Sequence, residues 1–167
     1  MRITAAVDSV FVKINLPDEA ATLAFGAALA GTLAAGDVLA LRGDLGAGKT
    51  TLARGVITAL MGDVDVPSPT YTLVQSYDTP KGELWHGDMY RLERPEACIE
   101  LGLEDAFLDC ICLIEWPDKL GKFLPRNAVN ITLSFDGHGR TARIEGAPSW
   151  IAALDRQSGW IKDMTQT

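Results

Sequence analysis

The segment Gly43-Asp44-Leu45-Gly46-Ala47-Gly48-Lys49-Thr50 matches G-x-x-x-x-G-K-[ST] at every fixed position. No other feature of the chain constrains its fold as strongly. Glycines let such a loop curl with its N–H groups turned inward, and no Cβ stands between those groups and a phosphate. A helix opening at Thr50 aims its positive end at the same point. The motif demands a buried strand before it and a helix after it, and the sequence supplies both patterns. Residues 37–41 form a short apolar run suited to a buried parallel strand. Leu52, Ala53, Val56, Ile57 and Leu60 fall at helical spacing, and Gly62 suits a left-handed cap. Residues 43–51 are therefore expected to hold a nucleoside triphosphate and its magnesium. Lys49 spans the β- and γ-phosphates, and the Thr50 hydroxyl ligates Mg2+.

The remaining patterns fit an α/β domain around that loop. Residues 10–14 read as a strand. Pro17, Asp18 and Glu19 open a helix whose Ala20, Leu23, Ala24 and Ala27 recur at helical spacing, with Gly31 as its end. Residues 71–77 alternate, residues 78–82 carry turn chemistry, and residues 83–88 return, which predicts a hairpin. Pro95 and Glu96 open a further helix that Gly102 interrupts. Residues 110–114 are a second fully apolar run, ending on Glu115. Residues 129–135 alternate into a strand, 137–139 turn, and 141–145 pair back, after which Ser149 caps a short helix. No repeat, low-complexity tract or linker divides the chain. It reads as one P-loop NTPase-like domain over residues 1–167, with 140–167 as a C-terminal extension. The expected fold class is α/β: a mainly parallel sheet with an antiparallel hairpin extension and helices on both faces.

A P-loop also needs a carboxylate at the end of a neighbouring strand to complete the magnesium shell. Glu115 and Asp88 both qualify. Glu115 has the better strand behind it, and Asp88 can position or activate the attacking water. Ser68-Pro69-Thr70 lies between the P-loop helix and the hairpin, where its hydroxyls can sense a γ-phosphate or merely cap a turn. Trp116 follows Glu115 and suits either core packing or the nucleotide site. Arg91 is read as a surface ion pair rather than an arginine finger.

Composition removes several alternatives. The net charge of −7 repels duplex nucleic acid, and no basic run marks a nucleic-acid arm. Cys98, Cys110 and Cys112 make an odd, small set that fits a reducing compartment, and His86 and His138 show no ligand spacing with them. The cysteines read as small buried apolar residues. Residues 20–36 carry no charge over 17 positions, but they are rich in Ala, Gly and Thr and read as a buried helix and turn rather than a membrane span. The first residues have no signal-peptide core. A cytoplasmic protein without a membrane partner is expected.

Five segments occur in a fixed order: residues 43–51, then Ser68-Pro69-Thr70-Tyr71-Thr72-Leu73-Val74, then His86-Gly87-Asp88-Met89-Tyr90-Arg91-Leu92, then Glu100-Leu101-Gly102-Leu103, then Ile114-Glu115-Trp116-Pro117. With them the chain resembles the TsaE (YjeE) family, the bacterial ATPases required for threonylcarbamoyladenosine modification of tRNA. The resemblance runs over about residues 16–135. It implies ATP contacts through Asp44, Leu45, Gly46, Ala47, Gly48, Lys49, Thr50 and Thr51. It implies Mg2+ on Thr50 and Glu115, hydrolysis dependent on Lys49 and Asp88, and a switch-like segment over 68–71. It further implies Trp116 beside the nucleotide and Asp18 and Glu19 near the adenine. It implies TsaB and TsaD as partners, turnover of their assembly as the purpose of hydrolysis, and tRNA met only through that complex. One departure is visible: Gly87 stands where similar proteins carry an apolar residue, which adds backbone freedom beside Asp88.

Two other functions use the same loop. A small-molecule kinase needs an arginine-bearing lid, and the arginines form no cluster beyond pairs such as Arg91 and Arg94. A nucleotide-gated binding module needs the loop but not hydrolysis. The absence of an Asn-Lys-x-Asp segment favours adenine over guanine.

Overall fold

The apolar run that leads into the glycine-rich loop and the run that ends on Glu115 become the centre of a seven-stranded sheet. The computed structural model describes residues 10–69 and 72–159. In chain order the elements are β1 (Val10–Leu16), α1 (Glu19–Thr32), β2 (Val38–Arg42), α2 (Lys49–Met61), β3 (Val74–Thr79), β4 (Gly82–Asp88), α3 (Ala97–Glu100), α4 (Leu103–Asp109) and β5 (Ile111–Glu115). A 3-10 segment (Pro117–Phe123), β6 (Val129–Asp136), β7 (Gly139–Gly146) and α5 (Pro148–Ser158) complete them. The strand order is β1-β7-β6-β2-β5-β4-β3. The four strands β6, β2, β5 and β4 run parallel, and antiparallel pairs close both edges. The mixed α/β class with a parallel centre is as the sequence predicts. The antiparallel portion lies at both edges, because β7 pairs with β6 on one side and β1 on the other.

Alternation along the central strands builds two cores. Leu39, Leu41, Ile111 and Leu113 face α1, α2 and α5. Val38, Ala40, Cys112 and Ile114 face α4 and the 3-10 segment. Strands buried on both faces need apolar residues at consecutive positions, which is why β2 and β5 read as runs rather than alternations. All three cysteines are free and buried, with Cys110 and Cys112 in the second core. Burial pushes the Cys112 thiol up to about 12, so it behaves as an inert apolar group.

Three local expectations need correction. The first helix does not stop at Gly31 but runs to Thr32. The Lys81 ammonium at the β3–β4 turn donates to the carbonyls of Ala30, Gly31 and Leu33 at 2.8, 2.9 and 2.9 Å. A cation from a distant hairpin thus supplies the termination that glycine was expected to give. The second strand of the first hairpin fits, but β3 begins only at Val74. Leu73 sits in the left-handed region (φ 64°) and its carbonyl accepts from Asp88 N at 2.8 Å; Thr70 and Tyr71 lie outside the described residues. The last helix starts at Pro148 with Ala147 as its cap, so Ser149 lies inside it. Proline suits that first position, where no N–H is needed.

Helices α1 and α2 meet at two glycines. A Cβ on Gly26 would lie 2.7 Å from Leu52 O, and one on Gly55 would lie 2.6 Å from Leu23 O. Both obstacles are backbone, so neither can swing aside. Gly26→Ala is expected to lower unfolding free energy by about 2 kcal/mol, overpacking outweighing the gain of roughly 1 kcal/mol in helix propensity. Urea denaturation of the two proteins measures the difference.

Candidate nucleotide-binding site

Parallel strands present their carboxyl ends together, and in such sheets that edge is where ligands bind. Here β2 runs into the phosphate loop, while β5 and β4 end on Glu115 and Asp88. The ladder places Leu41 opposite Glu115 and Glu115 opposite Asp88. Both carboxylates therefore arrive at one level, beside the amino end of α2, and both are buried.

The loop itself needs its glycines. Gly43, Gly46 and Gly48 have φ of 141°, 80° and 107°. A Cβ on Gly43 would lie 2.6 Å from Leu133 O on β6. Leu45 turns its side chain to solvent. Lys49 is buried, and its Nζ donates to Gly43 O at 2.5 Å and Asp44 O at 3.0 Å. The same ammonium sits 4.3 Å from the Trp116 ring centroid. Burial holds the Lys49 pKa below its ordinary value, opposed by the Glu115, Asp88 and Asp44 carboxylates.

Thr50 Oγ1 donates to Glu115 Oε1 at 2.9 Å and lies 3.1 Å from Oε2. This hydroxyl–carboxylate pair is all oxygen, as a hard cation such as Mg2+ requires. Among the described residues no three His, Cys, Asp or Glu side chains gather into a metal cage. A site with one or two carboxylates and substrate phosphates is the arrangement Mg2+ takes instead. The donor set therefore fits the ion.

Two adjoining clefts receive the expected residues. One, of about 280 Å³, is lined by Leu45, Gly46, Gly48, Lys49, Thr50, Thr51, Ser68, Asp88, Glu115 and Trp116. The other, of about 350 Å³, shares Gly46, Gly48 and Thr51 and adds Asp18, Glu19, Thr22, Ala47, His138 and Arg140. Asp44 contributes its carbonyl to Lys49 rather than a side chain to either cleft. Asp18 also caps α1, accepting from Ala21 N at 2.8 Å. Arg91 is exposed and lines a separate depression with Leu73, Arg94 and Glu100. Of the switch-like segment 68–71, Ser68 lines the first cleft, while Thr70 and Tyr71 lie outside the described residues.

Gly87 does not leave Asp88 loose. A Cβ there would come within 3.0 Å of Met89 Cε and 3.2 Å of Ile114 Cδ1, so those side chains already occupy the space. Asp88 is held by the ladder, and its Oδ1 accepts from Tyr90 N at 3.0 Å.

Sequence reasoning missed Arg140. From the start of β7 its guanidinium donates to Ala47 O and Gly46 O, both at 3.2 Å, and stacks on Phe135 at 4.3 Å. It ties down loop carbonyls from more than ninety residues away, a contact no local pattern announces. His86 was likewise passed over; its Nε2 lies 2.7 Å from Glu115 Oε2.

The family model described as "Threonylcarbamoyl adenosine biosynthesis protein TsaE" matches residues 16–143. The chain belongs to the TsaE family. It is 40% identical over 119 residues to the tRNA threonylcarbamoyladenosine biosynthesis protein TsaE of Rickettsia bellii, covering 71% of this chain and 83% of that protein. The protein of the same description from Haemophilus influenzae is 38% identical over 135 residues, covering 77% and 85%. Among solved structures, the crystal structure of Bacillus subtilis YdiB superposes with a TM-score of 0.72 at 28% identity, covering 90% of this chain and 95% of that one. The family match begins in β1 and ends in β7, so it takes in the phosphate loop, Asp88, Glu115 and Arg140. Among the described residues no helix is long and apolar enough to cross a membrane.

Proposed function

We propose that the chain is a magnesium-dependent ATPase of the threonylcarbamoyladenosine modification of tRNA. It works in the cytoplasm with TsaB and TsaD and supports turnover of their complex. One observation carries the reading: Lys49, Thr50, Glu115 and Asp88 surround a single cleft at the carboxyl edge of the parallel strands.

Each residue has a task there. Loop amides and the α2 amino end receive the phosphate oxygens. Lys49 exchanges its carbonyl partners for the β- and γ-phosphates, its charge strengthened by water exclusion at a buried position. Thr50 and Glu115 would hold Mg2+, which neutralises charge developing on the phosphates. Asp88 accepts a hydrogen bond from the attacking water and aligns it. Trp116 covers the Lys49 ammonium and keeps solvent from that side. The nucleoside extends into the adjoining cleft, with Asp18 and Glu19 toward the adenine.

Hydrolysis by the chain alone is slow, because TsaB and TsaD supply further groups that exclude water and stabilise charge. The acidic surface suits a protein that meets tRNA through partners. Phosphate release is measured for the chain alone and with purified TsaB and TsaD. Low activity that rises when both are added is the expected result. Tight ATP binding with no hydrolysis in any mixture would sink the ATPase reading.

A further inference from the structure

Five polar or charged side chains are buried among the described residues: Thr22, Lys49, His86, Asp88 and Glu115. Four of them line one of the two clefts; His86 lines neither. It is fully enclosed at 0% exposure, on the same face of β4 as Leu84. Its Nε2 lies 2.7 Å from Glu115 Oε2, and its Nδ1 has no hydrogen-bond partner.

An enclosed ring nitrogen without a partner is a cost that packing does not call for, since an aliphatic side chain would fill the space without it. The contact at Nε2 is what a histidine adds. Glu115 is 3% exposed, and its carboxylate takes donors from two elements: Thr50 on α2 and His86 on β4. A carboxylate gripped from two directions has its plane fixed. His86 Nε2 lies against Oε2, while Thr50 Oγ1 lies 2.9 Å from Oε1 and 3.1 Å from Oε2.

We propose that His86 is a positioning residue: its Nε2–H holds Glu115 in the orientation that, with Thr50, receives the magnesium of the nucleotide. The inference rests on the reading of Thr50 and Glu115 as the magnesium-holding pair. Donors of this kind behind a ligating carboxylate tune metal affinity without touching the ion.

Two variants of similar polarity separate this role from packing. In His86→Gln the amide nitrogen reaches the place of Nε2; in His86→Asn it reaches only that of Nδ1. ADP binding is measured by calorimetry at rising Mg2+ for both variants and the unaltered protein. The unaltered protein is expected to bind ADP more tightly as Mg2+ rises. His86→Asn is expected to need about 10–100-fold more Mg2+ for the same gain, while His86→Gln stays close to the unaltered protein. ADP affinity without Mg2+ is expected to be alike in all three. Equal Mg2+ dependence in the two variants, shifted or not, overturns the role of His86. Mg2+ independence of the unaltered protein overturns the reading of the Thr50–Glu115 pair, and this inference with it.

Discussion

Lys49→Ala is expected to remove ATP hydrolysis and to weaken ATP binding while leaving the fold in place. The effect is large because no other cation takes the same position: among the residues lining the phosphate cleft, Lys49 is the one basic side chain. Its ammonium is buried between the loop carbonyls and the Trp116 ring. Removing one preorganised charge from such a site lowers turnover by about 10²–10³-fold. The fold survives because the substitution leaves the Thr50–Glu115 bond, the strand ladders and the Gly43 close approach untouched. The Gly43 and Asp44 carbonyls that lose a donor can turn to water at this open cleft. Circular dichroism should match the unaltered protein, and phosphate release and nucleotide titration should not. Unaltered ATP affinity in the folded variant would place the phosphates elsewhere.

What the sequence revealed of this site, and what it hid, divides by distance along the chain. The loop was legible because its chemistry is contiguous: eight residues specify the turn, the charge and the start of α2. Glu115 and Asp88 were legible because each ends a strand, and strand ends in a parallel sheet converge. Even the doubt at Gly87 resolves locally, since Met89 and Ile114 fill the space a side chain would have taken. Arg140 and His86 were hidden for the opposite reason. Arg140 reaches Gly46 and Ala47 across the sheet edge, and His86 reaches Glu115 from the next strand. Such contacts depend on register, which single-residue patterns do not carry. The helix end at Thr32 follows the same logic, because Lys81 completes it from a hairpin about fifty residues later. Where neighbours in sequence decide the structure, pattern suffices. Where the sheet brings distant strands together, only the assembled ladder shows the pair.

Asp88→Asn is expected to leave ATP bound and hydrolysis lost, and it decides between an ATPase and a nucleotide-gated module. The substitution keeps the size of the side chain and an acceptor for the Tyr90 N–H at Oδ1. It also leaves the Asp88 N–H bond to Leu73 O, so the chain around the site should hold its course. What disappears is the negative charge that draws on the water's proton. Loss of such a group lowers turnover by about 10²–10⁴-fold. Affinity should hold or rise slightly, because the carboxylate no longer repels the γ-phosphate across the cleft. Measured together, single-turnover hydrolysis falls and the ATP dissociation constant does not rise. Lys49→Ala, by contrast, damages both. The cell then supplies the last discrimination. If hydrolysis serves tRNA modification, both variants should leave threonylcarbamoyladenosine at background in a strain that depends on this chain. If ATP only orders the segment around Ser68 for a partner to grip, Asp88→Asn should restore the modified nucleoside while Lys49→Ala fails. That outcome would keep the site and its nucleotide and discard hydrolysis as its purpose.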